Sequence, residues 1–478
     1  MSEITPFRIG DERVGAASDD DVIVVTSPYD GHELGRVPAG TTADLDRAVA
    51  VALARHREGA PPAHERAAVL DRAAALLAEP SNQERFARLV ASEAAKPIKT
   101  ARVEAARAVD TFRFAAATAR SFAGEVVPLD ASSAGVGKLG IVQRVPIGVV
   151  GAISPFNFPL NLVAHKLAPA IAAGCPVVLK PASATPLTAV ALVELLVEEC
   201  GLEPGWINVV TCSGRVADHL VTHDDVAMIT FTGSPDVGWG IRARAPRKRV
   251  SLELGNNAPV IIEPDGDWAA AAQKITVAGF SHAGQSCISV QRVFVHRDVA
   301  DDFVGALVAG VSGLTVGDPL NDATDVSALI NPGETDRVES WIREAVAEGA
   351  EVRCGGEVEG GVLAPTVLTG VLPDMKVCNT EVFGPVVGVA VYDDWHEALR
   401  LANDTRYGLQ AGVFTRDVGR ALEAGHVLDF GGVLVNEVPT WRADHMPYGG
   451  VRDSGNTREG PPYAVQEMTE RRLVVLQG

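Results

Sequence analysis

No two of the six cysteines stand close enough for a CxxC pair, and no histidine stands at ligand spacing from any of them. A disulfide framework and a cysteine-based structural zinc site are therefore excluded, and no metal is expected. There is no uncharged apolar run near the ~20 residues that a membrane-spanning helix needs. The opening MSEITPFRIGDERVG has neither the basic stretch nor the apolar core of a secretory signal. Positive charge is scarce as well. Against 61 Asp and Glu there are 42 Lys and Arg, a formal net charge of −19, which repels polyanions and argues against nucleic acid as a partner. The expectation is a reducing, cytoplasmic setting, in which an anionic substrate would need a basic pocket of its own.

With 478 residues, 47% of them hydrophobic and 22% charged, the chain is long enough for roughly two to three domains with a large core. Its first part reads as helices: DLDRAVAVALARHR, HERAAVLDRAAALLAE, ARLVASEAAK and RVEAARAVDTFRFAAATARSF place apolar residues at helical spacing. Residues 124–146 change character, with β-branched pairs around a turn-rich centre, and predict a hairpin arm. From Gly148 strands alternate with helices: IGVVGAIS, PVVLKP, WINVVT, MITFTG and RVSLEL are separated by helical stretches. That rhythm predicts βαβ units and a parallel sheet. A second round follows Gly255, with strands APVIIE, RVFVH, EVFGPVVGVAVY and GVLVN, and the boundary falls near residues 252–257.

Cys287, in GQSCISVQRV, sits in a turn that opens onto a strand. Backbone amides there could lower its pKa and favour the nucleophilic thiolate; the alternative is a small buried hydrophobe, the commoner state of a free cysteine. SPFNFP (154–159) follows the first strand of the alternating region, at the carboxyl edge where α/β sheets bind ligands. Asn157 has an amide able to donate to a developing oxyanion, or is an ordinary turn residue. Glu253, ending the strand of LELGNN, is a possible general base or a solvated strand-end charge. FTGSPDVG (231–238) offers backbone amides to a phosphate at a helix start but lacks the three-glycine dinucleotide fingerprint.

Taken together and in order, FNFP, KPAS, FTGS, LELG, GQSC, EVFGP and MPYGGVRDSG resemble the aldehyde dehydrogenase superfamily from roughly residue 20 to the C-terminus. The resemblance implies an α/β fold with two parallel-sheet domains: a Rossmann-like cofactor domain from 1–123 and 147–254, and a catalytic domain over 255–459. It also implies a β oligomerisation arm from 124–146 and 460–478, in a homodimer or homotetramer. Cys287 would attack an aldehyde and form a thiohemiacetal. Asn157 and the Cys287 N–H would hold the oxyanion, and Glu253 would activate the water that hydrolyses the thioester. Relatives that pass the acyl group to coenzyme A lack this glutamate, so a free acid is the expected product.

By the same likeness NAD or NADP would lie along Ser154, Pro155, Phe156, Lys180, Ser183, Phe231, Gly233, Ser234 and Val237. Glu381 would hold the nicotinamide ribose, with Phe383 beside it. Strictly NAD-using relatives commonly carry a glutamate where Ser183 stands; a carboxylate would repel a 2′-phosphate and serine does not, so both nucleotides stay open. The loop 436–450 should border the aldehyde entrance. Arg442 and His445 there could grip an anionic group, with Arg113, Arg292 and Phe158 as further substrate contacts. This loop resembles the lactaldehyde, phosphonoacetaldehyde and non-phosphorylating glyceraldehyde-phosphate branch, although Ser286 stands where phosphate-binding members often have arginine. The alternative is a protein that keeps the fold without turnover.

Overall fold

The computed structural model describes residues 4–18 and 20–478. Five parallel strands form one sheet, in the order Arg249–Glu253, Val226–Thr232, Val149–Ile153, Val177–Lys180, Ile207–Val209. Chain direction across this sheet reverses between Val149–Ile153 and Val226–Thr232, and a crevice opens at the carboxyl ends of strands flanking such a switch. SPFN leaves the first of these strands and FTGS the second. The alanine-rich helices Ala63–Leu77 and Ile98–Ser121 pack against helix Asn161–Ala173 on this sheet, their small side chains allowing close approach. Leu70, Phe86 and Phe112 are fully buried there, each contributing roughly 1.5–3 kcal/mol.

The second sheet has seven strands, in the order Glu351–Cys354, Thr366–Thr369, Val386–Tyr392, Val290–His296, Ala258–Ile262, Gln410–Phe414, Gly432–Val435. All pair in parallel except the edge strand Glu351–Cys354. Four residues separate Glu253, the last of the first sheet, from Ala258, the first of the second. Residues 254–257 thus link the two sheets. A third, antiparallel sheet joins Glu125–Val127, Lys138–Pro146 and Thr469–Gln477, so the hairpin arm and the C-terminal segment form one unit.

Two local readings need correction. The chain does not begin with helices: Phe7–Ile9, Glu12–Val14, Val22–Thr26 and Glu33–Pro38 are strands in two small hairpins, and the β-branched run VIVVT was their signal. The first helix, Thr42–Glu58, starts only after Thr41, whose side chain and that of Asp44 cap each other's backbone N–H. Likewise EVFGPVVGVAVY is a strand only from Val386. Phe383 has φ 47°, and left-handed backbone cannot continue a strand.

Candidate active site

The three candidate catalytic residues and all eleven cofactor positions read from the sequence line one cleft of about 650 Å³. The first sheet supplies its carboxyl-edge loops, while Cys287 comes from the amino end of strand Val290–His296 in the second. The turn before Cys287 is strained. His282, Ala283 and Gly284 have φ of 51°, 52° and 71° in succession, and left-handed backbone at a non-glycine residue costs of order 1–3 kcal/mol. At Gly284 a Cβ would also collide with the Gly384 carbonyl. Gln285 clamps the turn: its Oε1 accepts from the Ile330 N–H at 2.9 Å, and its backbone carbonyl accepts from Asn157 Nδ2 at 2.9 Å. Asn157 keeps its second N–H, and the Cys287 N–H donates to no group among the described residues. Two donors are thus available beside the sulfur.

Cys287 departs from expectation in its charge state. Burial pushes the thiol up to about 12; a hydrogen bond with Tyr448 works the other way, and the charges of Glu381 and Glu253 add to the rise. The backbone does not set up a resting thiolate. The sulfur lies 3.0 Å from Tyr448 Oη, a partner the sequence reading missed because 161 residues separate the two. The Arg442 guanidinium carbon lies 4.0 Å from the centroid of the Tyr448 ring. Phenol-to-thiolate hydrogen bonds are worth roughly 1.5–3 kcal/mol, so Tyr448→Phe is expected to move the midpoint of iodoacetamide alkylation about one pH unit higher. An unchanged alkylation profile would show that the phenol does not hold the sulfur.

Glu253 is buried at the end of its strand, and neither carboxylate oxygen has a hydrogen-bond partner among the described residues. Burial, then the charge of Glu459, hold its pKa well above the usual carboxylate range. Burial works to raise Glu459 too, but Arg442 and its cationic neighbours keep it below that range. One acid is thus neutral and its neighbour ionised. Lys166 serves both: its Nζ donates to Thr232 Oγ1 at 2.8 Å and Thr230 Oγ1 at 3.2 Å, and burial brings it down to about 8 against the pull of Glu459 and Glu253. A cavity of about 20 Å³ between Glu253, Ser251, His165 and Glu459 has room for about one water.

The cofactor positions suit a dinucleotide. Lys180 is buried, with one long hydrogen bond of 3.5 Å to Ser183 Oγ among the described residues, leaving ammonium donors for a ligand hydroxyl. Glu381 accepts from the Asn256 N–H at 2.9 Å, and burial raises it to about 7. A Cβ at position 255 would collide with this carboxylate, so glycine is required for the approach. Phe383 and Phe156 meet edge-on at 5.9 Å. Helix Pro235–Arg244 opens at Gly233–Ser234, its amide ends toward the cleft. Not foreseen was the wall formed by Gly214, Ala217, Asp218 and Val221 of helix Gly214–Thr222, which carries no motif.

None of the five candidate substrate contacts lines this cleft. Arg292 is buried and donates to the carbonyls of Asn257, Leu401 and Ala402, so its charge is committed to backbone. Arg113 is exposed and paired with Asp110 at 3.3 Å. His445 is exposed and stacks on Phe114 at 4.4 Å. Phe158 carries the Lys96 ammonium 3.5 Å from its ring centroid. Arg442 is no free grip either: 5% exposed, it pairs with Glu459 at 2.7 Å and its Nη2 lies 2.9 Å from His165 Nε2. Arg107, unnoticed in the sequence, forms a bidentate pair with Asp444, which also accepts from Asn161 and contacts His165. A buried polar network therefore runs from Tyr448 back to helix Ile98–Ser121.

Residues 15–474 match the model of the aldehyde dehydrogenase family. A 3-sulfolactaldehyde dehydrogenase of Priestia megaterium is 45% identical over 453 residues, 95% of this chain and 94% of that one. The crystal structure of aldehyde dehydrogenase 21 from Physcomitrella patens, in complex with the reaction product succinate, superimposes with a TM-score of 0.95 at 40% identity, covering 100% of this chain and 99% of that one. An NADP-dependent glyceraldehyde-3-phosphate dehydrogenase from Bacillus halodurans, complexed with NADP, gives 0.95 at 37% identity with both chains fully covered.

Proposed function

The chain belongs to the aldehyde dehydrogenase family, and from that premise we propose that Cys287, Asn157 and Glu253 convert a short aldehyde with an anionic tail into its carboxylic acid. It is an NAD(P)-dependent dehydrogenase of small polar aldehydes. The observation behind the residue assignment is that a thiol, a spare amide donor and an unpartnered buried carboxylate share one cleft with the dinucleotide-type turns.

The Cys287 thiol gives its proton to water in the cleft, and Sγ bonds to the aldehyde carbon as the carbonyl π pair moves onto oxygen. The resulting oxyanion is held by the free N–H of Asn157 and the Cys287 N–H, each such donor being worth about 3–4 kcal/mol. A bound dinucleotide supplies the hydride acceptor. Hydride departure leaves a thioester on Cys287; Glu253, in the fraction of molecules where it has ionised, takes a proton from water as the water oxygen attacks that thioester, releasing acid and thiol. The reading assigns 1–123 and 147–254 to cofactor binding, 255–459 to catalysis, and 124–146 with 460–478 to assembly.

The anionic tail rests on two supports. 3-Sulfolactaldehyde, glyceraldehyde 3-phosphate and succinate, named for three of the related proteins, each carry an anionic group a few bonds from the reacting carbon, whereas lactaldehyde, named for others, is neutral. In this chain Arg442 pairs with Glu459 and Arg107 with Asp444, while Lys166 donates only to the Thr230 and Thr232 hydroxyls among the described residues. Arg442 thus acts as a fixed charge behind Tyr448 instead of a direct grip. A cation several ångströms from an anionic group attracts it by about 2 kcal/mol at an effective dielectric near 20. Sulfonated and carboxylated short aldehydes should therefore exceed neutral ones of equal length by about tenfold or more in kcat/KM. The assay is a panel run with NAD and with NADP, and equal rates for charged and neutral aldehydes would remove the anionic tail.

For assembly, Val126, Leu139, Leu473, Val475 and Leu476 are exposed on the three-stranded sheet, as are Val418 and Leu422 near the open edge strand Gly432–Val435. Apolar faces and a free edge call for a cover. A second copy of this chain fits both, giving a dimer or tetramer by light scattering; a monomeric mass at micromolar concentration would contradict it.

A further inference from the structure

We propose that Asp46, His219 and His223 form a surface site for a divalent transition-metal ion of the zinc type, tying helix Gly214–Thr222 to helix Thr42–Glu58. No cysteine takes part, so no cysteine spacing in the sequence points to it. In HLVTH the two histidines are four residues apart, so a helical turn stacks them on one face. His219 lies within its helix and His223 caps the end. Asp46 comes from the first turns of the other helix, 173 residues earlier than His219.

The three side chains converge on a point. His219 Nε2 lies 2.5 Å from Asp46 Oδ1, and His223 Nε2 lies 3.4 Å from the same oxygen. One ligand atom from each residue falls within 4.8 Å of both others. The rings meet edge-on, with centroids 5.7 Å apart, so their Nε2 atoms approach the point from different directions. A hydrogen bond to Asp46 accounts for the His219 ring only. The second faces the same carboxylate oxygen without one among the described residues. Two imidazoles and a carboxylate suit zinc, nickel, cobalt or copper rather than calcium or magnesium, and three protein ligands leave a fourth position for water.

The surroundings neither block nor enclose the site. Both histidines are half-buried and Asp46 is exposed, so an ion enters from solvent. The neighbouring Asp218 is occupied with Arg244 at 2.8 Å, and Lys248 donates to the His223 carbonyl rather than approaching its ring. The Asp225 N–H donates to His223 Nδ1 at 3.1 Å. In the neutral ring this leaves the proton on Nε2, so a metal that takes Nε2 moves the proton to Nδ1 and displaces the Asp225 amide. Asp225 is exposed, and water can satisfy that amide. Neutral His219 likewise moves its ring proton from Nε2 to Nδ1 and gives up its contact with Asp46, so that each ligating atom is free of a proton as metal ligation requires.

The consequence rests on the reading of the main cleft as the dinucleotide site. The inner face of helix Gly214–Thr222, at Gly214, Ala217, Asp218 and Val221, is a wall of that cleft; an ion on its outer face pins that wall to helix Thr42–Glu58. The test uses the full-length protein stripped with a chelator, zinc chloride in calorimetry and thermal melting, and cobalt(II) as a spectroscopic probe. The expected result is one zinc bound per chain, a raised Tm, and cobalt spectra without the near-ultraviolet thiolate band. In His219→Ala/His223→Gln the affinity falls about tenfold or more and the rise in Tm disappears. Equal binding by the double variant, a thiolate band, or no binding by the unaltered protein overturns the site. None of these readouts depends on dehydrogenase activity, so failure here is separable from failure of the functional reading. NADP affinity with and without zinc tests the coupling, and equal values overturn that part alone.

Discussion

Replacing Cys287 by alanine is expected to lower aldehyde-dependent reduction of the nucleotide by about 10⁴-fold or more, while leaving dinucleotide binding intact. The size follows from the chemistry: without sulfur there is no covalent adduct, and no other side chain lining the cleft is a nucleophile of comparable strength. Alanine keeps the backbone of the strained turn, because Gly284, Gln285 and the Asn157 contact involve no atom of the thiol. Among the described residues the hydrogen bond lost is the 3.0 Å contact with Tyr448, with a small apolar contact to the Ile288 and Leu409 cluster, so thermal stability should change by little. The measurement pairs a turnover assay with NADP binding by calorimetry. Near-normal reduced nucleotide from the alanine variant would remove Cys287 from the mechanism, whereas loss of both turnover and binding would point to a collapsed cleft.

Glu253→Gln carries the second large effect, and here the kinetics separate two roles. Steady-state turnover should fall by about 10³-fold, within the usual range for a lost general base. The first turnover should survive as a burst of one reduced nucleotide per chain, because attack and hydride departure do not need Glu253 once the thiol is ionised. Its raised pKa fixes the pH dependence of the wild type: deacylation requires the carboxylate and rises with pH as Glu253 ionises. Stability runs the opposite way. The folded pKa exceeds the unfolded one, so the contribution to stability is complete below the ordinary carboxylate range and is lost as pH rises through the folded value. Glutamine never ionises and escapes that loss, so the variant should melt higher than wild type at neutral and alkaline pH and about equally in acid. A variant without the burst would make Glu253 the base that ionises the thiol as well. A lower melting temperature would contradict the burial argument.

How much of this was legible in the chain differs from residue to residue. SPFN and FTGS could be set at the carboxyl edge of a parallel sheet because strand–helix alternation is a property of neighbours in sequence. Both segments flank the topological switch that opens the cleft. GQSC could be read as the turn into a strand for the same reason. Arg442 and His445 could not be read correctly, since nothing in VPTWRADHMPYGG indicates that Glu459 and His165 neutralise the arginine or that Phe114 takes the histidine ring. Arg292 invited a substrate role only because its carbonyl partners at Asn257, Leu401 and Ala402 come from distant segments.

The sequence by itself determined the alternation of strands and helices, the order of the motifs and the kinds of chemical group available, because backbone periodicity and side-chain chemistry are local. Only the tertiary structure decided which groups carry charge and which are spoken for: that Cys287 rests as a thiol against Tyr448, that Glu253 holds its proton while Glu459 does not, and that Asp46 meets two histidines far along the chain. Desolvation and pairing depend on what packs around a group, and those neighbours lie tens to hundreds of residues away.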